Sequence, residues 1–519
     1  MSESNKYSLI IVGAGITGLS TAIAYAKNVD VFKNPVLLLE QNSIVGGMVT
    51  SFRRKGFLFD TAQIISDPID LFNYFGINIS LKKFQGYYVR IFLVKNGNTK
   101  EYRIPCGLDN FRESLVQEFP GEVKAINKFF SYSASMFDEL KYLKLEPTIP
   151  DLIRILIKCP KTVINSKKTF KEYLKKFGFK DGRLEEIFDV FASFSGMPAG
   201  RAIAMMTVGA MNTSLIGSYC PEKGFIRLPL VLKKRSEELG CKVQTNTKVK
   251  KILVKNNKAT GVMLDDGKIL EANNVVTTAD TKVAMKELVG LDIMKQVDKK
   301  YAEKANEVRM SSSAFIISLG LNSDVNLKEM GFDCGYNVIT TEGDTFENFF
   351  KEFDRGEYKL DENEFHCAVI CPSLTTGGKP VLIIRVVPMP MKNWKILRET
   401  DYSEYEIQKQ KVADFYIDKV EKYLIPGLSN YIVYTNIATP ATFERYIGTP
   451  TGSNYDMAPY PDNFGLKRLK TRTPIKGLFQ PKFSHGIWPS MQAGLQVVDM
   501  LTNGKIMNGY SRYRGEKGT

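Results

Sequence analysis

Aliphatic residues form a short continuous run near the start of the chain and are followed at once by a glycine-rich turn. Residues 9–12 are all leucine, isoleucine or valine, which is typical of a fully buried strand. An alanine-rich stretch over 19–27 predicts a helix, and a second aliphatic run over 36–39 predicts another buried strand. The pattern therefore predicts strand, turn, helix and strand, the opening of an α/β domain.

Short apolar stretches in the middle of the chain alternate with turn signals. Asn256-Asn257 and Asp266-Gly267 are typical of the tight turns of antiparallel hairpins. We therefore expect a small antiparallel sheet in this region. Three or four short strands are predicted, over 248–254, 259–264, 268–271 and 275–278.

The last part of the chain combines a strand signal with a helical one. Residues 477–479 predict a short strand, and 484–487 predict a turn. From Ser490 to Leu501 the apolar residues recur at a helical spacing. We therefore expect a final strand, a turn and a closing helix in this part of the chain.

The first turn has the spacing of a dinucleotide cradle. Gly13 permits the turn, Gly15 lets the backbone approach a pyrophosphate, and Gly18 lets the helix lie close to the strand. Glu40 lies 22 residues past Gly18, where an acidic side chain would accept hydrogen bonds from ribose hydroxyls. A glycine turn without a ligand would fit the first motif alone. The residues expected to bind the nucleotide are Gly13, Ala14, Gly15, Thr17, Gly18, Glu40 and Gln41.

Composition narrows the class of protein. The 519 residues suggest two to four domains, and 44% hydrophobic with 24% charged residues excludes a mostly disordered chain. Two histidines and the lack of a Cys-x-x-Cys motif predict no metal site. Seven cysteines and no secretory signal favour a reducing, cytoplasmic location.

The chain is basic, with 71 Lys and Arg against 56 Asp and Glu and a net charge of +15. No nucleic-acid motif accompanies this charge, so we expect no nucleic-acid partner. Residues 151–177 hold eight basic and two acidic residues around an aliphatic stretch, with Pro160 breaking the first helix. This segment is a candidate for peripheral docking on an anionic membrane, and a solvated basic face is the alternative. The apolar run over 9–26 is interrupted by glycines, and we expect no transmembrane helix.

A second glycine motif follows Glu40. Gly46-Gly47, and then Gly56-Phe57-Leu58-Phe59-Asp60, resemble the second fingerprint of two-domain oxidoreductases that bind FAD. Met48 stands where those enzymes often carry arginine, which leaves the path of the chain beside the flavin open. A surface β-turn is the alternative for the glycine pair.

The order of motifs along the chain resembles one family. Both glycine motifs, the segment 439–446 (Thr-Pro-Ala-Thr-Phe-Glu-Arg-Tyr) and the closing turn and helix occur as in phytoene desaturases, carotenoid isomerases and retinol saturases, within the flavin amine oxidase superfamily. The resemblance implies FAD and a hydrophobic polyene or isoprenoid lipid as substrate. It leaves desaturation, saturation and redox-neutral isomerisation open, and it does not predict the oligomeric state.

The same resemblance implies an architecture. A Rossmann-like FAD-binding domain would be discontinuous and interleaved with an α+β substrate domain. Further cofactor contacts implied by the resemblance are Gly46, Gly47, Met48, Val249, Asp280, Ile487 and Met491. The FAD-binding domain is expected over 1–75, 216–300 and 470–519, and the substrate domain over 76–215 and 301–469.

Two residues are candidates for proton transfer. His485 falls in the turn expected to touch the flavin, and Tyr446 ends the 439–446 segment. For His485 a packed turn histidine is the alternative.

Two other functions stay open at this stage. An amine oxidase would use the same fold, and so would a non-catalytic escort that binds prenyl lipids. The intact glycines and Glu40 argue against the escort, because it would need no flavin.

Overall fold

The computed structural model describes residues 6–62, 64–143, 147–332, 334–463, 465–481, 486–504 and residue 506. It contains two large sheets. The strands are β1 Lys6–Val12, β2 Val36–Leu39, β3 Ser51–Arg54, β4 Phe57–Asp60, β5 Ile65–Ser66, β6 Leu81–Lys83, β7 Tyr87–Lys95, β8 Asn98–Pro105, β9 Ser218–Pro221, β10 Lys242–Gln244, β11 Val249–Lys255, β12 Lys258–Leu264, β13 Ile269–Thr277, β14 Ser313–Leu321, β15 Tyr336–Thr341, β16 His366–Ile370, β17 Val381–Met389, β18 Ile432–Ala438 and β19 Leu478–Phe479.

The helices cover the sheets and join them. The α-helices are α1 Ile16–Asn28, α2 Ile69–Phe75, α3 Leu108–Glu118, α4 Val123–Glu139, α5 Ile149–Lys158, α6 Pro160–Asn165, α7 Phe170–Leu174, α8 Gly182–Ser193, α9 Ala204–Ile216, α10 Arg227–Glu238, α11 Leu291–Val297, α12 Lys299–Glu307, α13 Thr345–Arg355, α14 Pro372–Thr376, α15 Met391–Thr400, α16 Tyr402–Tyr423, α17 Pro440–Ile447 and α18 Ile487–Leu501. A π-helix spans Val283–Gly290, and short 3-10 turns lie at Pro120–Glu122, Leu140–Tyr142, Lys175–Phe177, Leu428–Tyr431 and Gly465–Lys467.

The first sheet has the order β10-β2-β1-β13-β12-β11, with β19 beside β13. Strands β10, β2, β1, β13 and β19 run parallel, whereas β11 and β12 add an antiparallel edge. Aliphatic clusters cover both faces, as a parallel sheet requires. The predicted α/β class is thereby confirmed.

Of the three or four strands predicted between 248 and 278, the structure has three. The segments predicted as 268–271 and 275–278 form the single strand β13. Asn273 and Asn274 do not interrupt it because β1 pairs with it on one edge from Glu271 to Thr277, while on the other edge its partner changes from β12 to β19. Tertiary pairing overrides the local turn preference of asparagine.

The second sheet has the order β18-β14-β17-β16-β15-β7-β8. All its strands come from the segments expected to form the substrate domain, and the strands of the first sheet come from those expected to bind FAD. One face carries α15 and α16, and the opposite face lies toward α3, α4, α8 and α9. Where the boundary between the two domains falls stays a prediction.

Candidate cofactor and substrate cavity

One cavity of about 3450 Å³ joins the two sheets. Its wall begins at the turn after β1, passes the loop after β2 and continues over the second sheet to α5. A cavity of this extent can hold a dinucleotide and a long substrate together.

The turn after β1 has room for no side chain at two of its glycines. A Cβ on Gly18 would lie 2.0 Å from the carbonyl oxygen of Gly13. Gly13 itself has φ +101°, and a Cβ there would lie 2.4 Å from Oγ1 of Thr278. Thr278 Oγ1 in turn donates to the carbonyl oxygens of Val12 and Gly13, at 3.1 and 3.2 Å. These contacts hold α1 against β1 in the orientation that directs its N-terminus into the cavity.

Gly15 serves a different purpose. A Cβ built on it meets no protein atom within 4 Å, and the residue lines the cavity. Gly46 donates its N–H to the carbonyl oxygen of Ala14 at 2.8 Å, and a Cβ on Gly47 would lie 3.4 Å from Cα of Gly15. The two glycine segments therefore abut at an open space that a side chain would fill. This cradle fits the diphosphate of a dinucleotide.

Glu40 is buried at the end of β2. Its Oε2 accepts from the Ala14 N–H and its Oε1 from the Asn42 N–H, both at 2.9 Å. Each carboxylate oxygen has a second lone pair, so the group can also accept from ribose hydroxyls. The carboxylate thus links the glycine turn to the place where a ribose would lie.

Two more predicted contacts lie on the same wall. Thr247 donates its N–H to the carbonyl oxygen of Glu40 at 2.8 Å, which brings the start of β11 and the cavity-lining Val249 alongside. Asp280 follows β13, and its Oδ1 accepts from the Lys282 N–H at 2.8 Å at the start of the π-helix. Asp280 therefore has a structural contact at the helix start as well as a place on the cavity wall.

The closing helix α18 also reaches the cavity. Gly486, with φ +121°, precedes it, and the buried Ile487 lines the cavity. A Cβ on Gly494 would lie 2.8 Å from the Thr21 backbone nitrogen, so α18 and α1 touch closely. The N-termini of two neighbouring helices thus open on one cavity, which favours an anionic ligand there.

Most of the predicted cofactor residues lie together. The side chain of Met491 is fully buried in the core between helices and does not line the cavity, so its predicted contact could involve only the main chain. Ala14 takes part through its backbone. Whether these residues bind a cofactor stays a prediction. The cavity-lining ones are Gly13, Gly15, Thr17, Glu40, Gln41, Gly46, Gly47, Met48, Val249, Asp280 and Ile487.

The candidates for proton transfer are less well supported. His485 lies outside the described residues. Tyr446 is 53% exposed, and its carbonyl oxygen accepts from the Asn42 side chain at 3.1 Å. It therefore lies beside the segment after Glu40, at the ribose end of the cavity. Tyr446 also lines the cavity, and its role in proton transfer stays a prediction.

Asp60 is a site residue that the sequence identified only as part of a motif. Its Oδ1 accepts from the Ser51 hydroxyl and, at 2.9 Å, from the Phe225 N–H, whereas Oδ2 is buried without a partner. Burial raises the pKa of this carboxyl, which lines the cavity. Asp60 therefore holds a proton more readily than an ordinary aspartate.

The second sheet supplies an apolar wall with one charged group. Arg385 donates from Nη1 and Nη2 to the hydroxyl of Tyr455, each at 3.2 Å. Neither residue was predicted from the sequence, although Arg385 is a visible signal because it interrupts an apolar strand. The cavity-lining residues of β14, β17 and β18 are Ile316, Ser318, Ile383, Arg385, Asn436, Ile437 and Ala438.

Helix α5 closes the far part of the cavity. None of its residues is buried, and its inner edge, including Leu152 and Ile155, lines the cavity. The proposed docking segment is shorter than the predicted 151–177, because Phe170, Tyr173 and Leu174 are core residues. More than half of the surface is exposed for Ile149, Ile153, Leu156, Ile157 and Ile164.

Within the described ranges, no helix combines the length and apolar character needed to cross a membrane. Among the same residues, no three histidine, cysteine or acidic side chains converge as metal ligands would.

Residues 11–75 match the profile of an NAD(P)-binding Rossmann-like domain. The chain is 26% identical to the chloroplastic prolycopene isomerase of Daucus carota, over 92% of this chain and 76% of that protein. It is 25% identical to the lycopene-forming phytoene desaturase of Pseudescherichia vulneris, over 87% of this chain and 89% of the relative. These similarities confirm the resemblance found in the motifs.

The solved structure of cyclohexylamine oxidase from Brevibacterium oxydans covers 96% of this chain and 99% of its own, with a TM-score of 0.59 and 13% identity. At that identity the likeness concerns the fold alone.

Proposed function

Because the chain is a homologue of phytoene desaturases and prolycopene isomerases, we propose that it is an FAD-dependent oxidoreductase acting on carbon–carbon bonds of an apolar polyene or isoprenoid lipid. The observation that supports this most directly is the shared cavity. The glycine cradle with Glu40 and the aliphatic wall of the second sheet line one continuous space.

In this proposal the protein mainly binds the cofactor and the substrate and orients them toward each other. Gly15 and Gly47 admit the diphosphate, Glu40 accepts from the ribose, and the second sheet lies along the substrate and excludes water. When bound, FAD would supply hydride exchange with a substrate carbon. Asp60, whose raised pKa favours the protonated carboxyl, could hold a proton at Oδ2.

Two measurements test the proposal. The absorption spectrum of the purified protein should show bound oxidised flavin. Mass spectrometry of lipid extracts, after expression in a polyene-producing host, should show a product with two hydrogens fewer or more than the substrate, or an isomer of equal mass. These results separate desaturase, saturase and isomerase, and an unchanged lipid profile with flavin bound would contradict the proposed substrate class.

The amine oxidase alternative has a structural argument against it. An amine substrate is mostly protonated near neutral pH, and Arg385 places a fixed positive charge on the cavity wall. Anaerobic flavin reduction by simple amines would nevertheless revive that alternative.

We also infer that the apolar face of α5 and α6 docks on an anionic lipid surface. Five aliphatic side chains are exposed there, and Arg154, Lys158 and Lys161 lie among them in the sequence. Apolar side chains beside basic ones match an anionic bilayer, into which the former insert and to which the latter are attracted. Since α5 also lines the cavity, an apolar substrate could pass from the lipid without crossing water.

Vesicle flotation tests the docking. The wild-type protein should float with vesicles of anionic and neutral lipid, and Ile153→Asp combined with Leu156→Asp should abolish flotation. Ile407→Asp, on an equally exposed isoleucine of α16, is the matched control and should float normally. Equal flotation of all three proteins would contradict the docking.

A further inference from the structure

Arg385 has an unusual environment for a charged side chain. It lies in β17, where Ile383, Ile384 and Val386 are buried, and it pairs in register with Ile316 of β14 and Ala368 of β16. Alternation along the strands places Arg385, Ile383 and Ile316 on the face that lines the cavity. A permanent positive charge therefore lies on an apolar wall.

The guanidinium group is only partly satisfied. Its Nη atoms share the Tyr455 hydroxyl, and its Nε is buried without a hydrogen-bond partner. Among the residues that the structure describes, no carboxylate lies within ion-pair distance of it. Two other arginines with little exposed surface differ: Arg90 lies 2.7 Å from Glu101, and Arg201 lies 2.8 Å from Glu347.

Arg385 is half-buried. A charge partly removed from water is costly without a counter-charge, and a ligand that supplies the counter-charge recovers that cost. A carboxylate matches the planar fork of a guanidinium, since two oxygens can accept two parallel N–H groups. The neighbouring aliphatic side chains favour a hydrocarbon body attached to that carboxylate.

The position of Tyr455 indicates where the carboxylate would lie. The next residue, Asp456, accepts from the N–H and hydroxyl of Thr281, at 2.9 and 2.8 Å. Thr281 follows Asp280 on the cofactor side of the cavity. Arg385 and Tyr455 therefore stand where the substrate wall meets the predicted cofactor wall.

We propose that Arg385, oriented by Tyr455, binds the carboxylate of an amphipathic substrate, so that the substrate is a polyene or isoprenoid carboxylic acid and not a hydrocarbon. This inference rests on the proposed function, because it specifies the substrate of the same cavity. Arg385 thereby determines substrate specificity, and Tyr455 is a positioning residue.

The test compares two ligands that differ in charge and by one methyl group. All-trans-retinoic acid and its methyl ester would each be titrated into the flavin-loaded protein, with binding followed by flavin absorbance. We expect the acid to bind at least tenfold more tightly than the ester. In Arg385→Met the acid should lose this advantage while the ester binds as before. Arg53→Met, on an exposed arginine outside the cavity, lowers the net charge equally and should keep the preference.

Equal affinities of acid and ester for the wild-type protein would overturn the inference without any variant. So would an Arg385→Met protein that keeps the preference. Tyr455→Phe should reduce the preference but not abolish it, and Arg385→Lys should retain part of it because the charge remains without the fork. Failure of the proposed function looks different: the protein would bind no flavin, or neither ligand.

Discussion

The two ends of the cavity are built in opposite ways. At the nucleotide end, both carboxylate oxygens of Glu40 accept from backbone N–H groups, and the glycine turn closes on itself through Thr278. At the substrate end, Nε of Arg385 is buried without a partner. The polar groups named at the nucleotide end have hydrogen-bond partners within the protein, whereas Nε of Arg385 has a hydrogen that a ligand could accept.

This difference has a physical origin. Residues of the nucleotide end are close in sequence or belong to adjacent parallel strands, so one local geometry satisfies all of them. Arg385 and Tyr455 are 70 residues apart in the sequence. They meet on the wall of the cavity that, in our proposal, contacts the substrate. In our proposal the nucleotide end always binds the same cofactor, and its polar groups are already paired within the protein. The unpaired group at the substrate end instead discriminates between ligands that can and cannot pair with it.

The largest effect is expected from Gly18→Ala. The new Cβ would lie 2.0 Å from the Gly13 oxygen, so α1 must move away from β1. Overpacking of this kind costs about 1–3 kcal/mol. We expect a lower melting temperature and protein purified without flavin.

Gly121→Ala is the control for that substitution, because a Cβ there meets nothing within 4 Å. It should retain the wild-type melting temperature and flavin content. A Gly18→Ala protein with normal flavin content would show that the glycine turn can rearrange around the added methyl group without losing the cofactor.

Gly15→Ala should weaken FAD binding without changing the stability of the apoprotein. Its Cβ meets no protein atom, so the apoprotein should melt as the wild type does. The methyl group would occupy the space of the diphosphate, and we expect about 100-fold weaker FAD binding, or about 2.7 kcal/mol. Reconstitution of the apoprotein with FAD measures this. Unchanged affinity would mean that the diphosphate does not approach this turn.

These two glycines also show how much the sequence could predict. The first strand, turn, helix and second strand all lie within the first 40 residues, so local spacing alone predicts the positions of Gly13, Gly15, Gly18 and Glu40. The order of the second sheet and the meeting of Arg385 with Tyr455 depend on pairing between distant strands, for which a single sequence has no signal. The contact between Tyr446 and Asn42 has no sequence signal for the same reason: the 439–446 motif is local, but Asn42 is 404 residues away.

A third prediction concerns the titration of the substrate sheet. His366 in β16 is buried against Phe346, its Nδ1 has no partner, and burial lowers its pKa from 6.5 to about 4. Between pH 6.5 and about 4, His366 is therefore protonated in the unfolded chain and neutral in the folded one. Stability from this residue is full above pH 6.5 and is lost as pH falls toward 4, by about 2 kcal/mol at pH 5.

The comparison of wild type with His366→Phe isolates that contribution. Burial raises the pKa of Asp189 to about 7, which has the opposite effect on stability in the same range and is present in both proteins. Denaturant unfolding at pH 7 and pH 5 should show a smaller loss of stability in the variant. Equal losses would mean that His366 is protonated in the folded sheet.

Glu40→Gln tests whether the nucleotide end is complete without its ligand. One amide oxygen can replace only one of two acceptors, so either the Ala14 or the Asn42 N–H faces an NH₂ group. An unsatisfied buried donor costs about 1–2 kcal/mol, and this should appear in the unfolding of the apoprotein. Full apoprotein stability with weakened FAD binding would instead show that Glu40 acts on the ligand alone.

The smallest expected effect is an increase in stability, at Arg385 on the substrate end of the cavity. Arg385→Met removes a half-buried charge that lacks a counter-charge, and an apolar side chain of similar length fits among Ile316 and Ile383. Such replacements are often neutral or stabilising, and we expect the ligand-free protein to gain about 1 kcal/mol in denaturant unfolding. A loss of stability would indicate that Arg385 supports the fold. If Arg385→Met raises the free energy of unfolding and Glu40→Gln lowers it, Arg385 destabilises the ligand-free protein whereas Glu40 stabilises it.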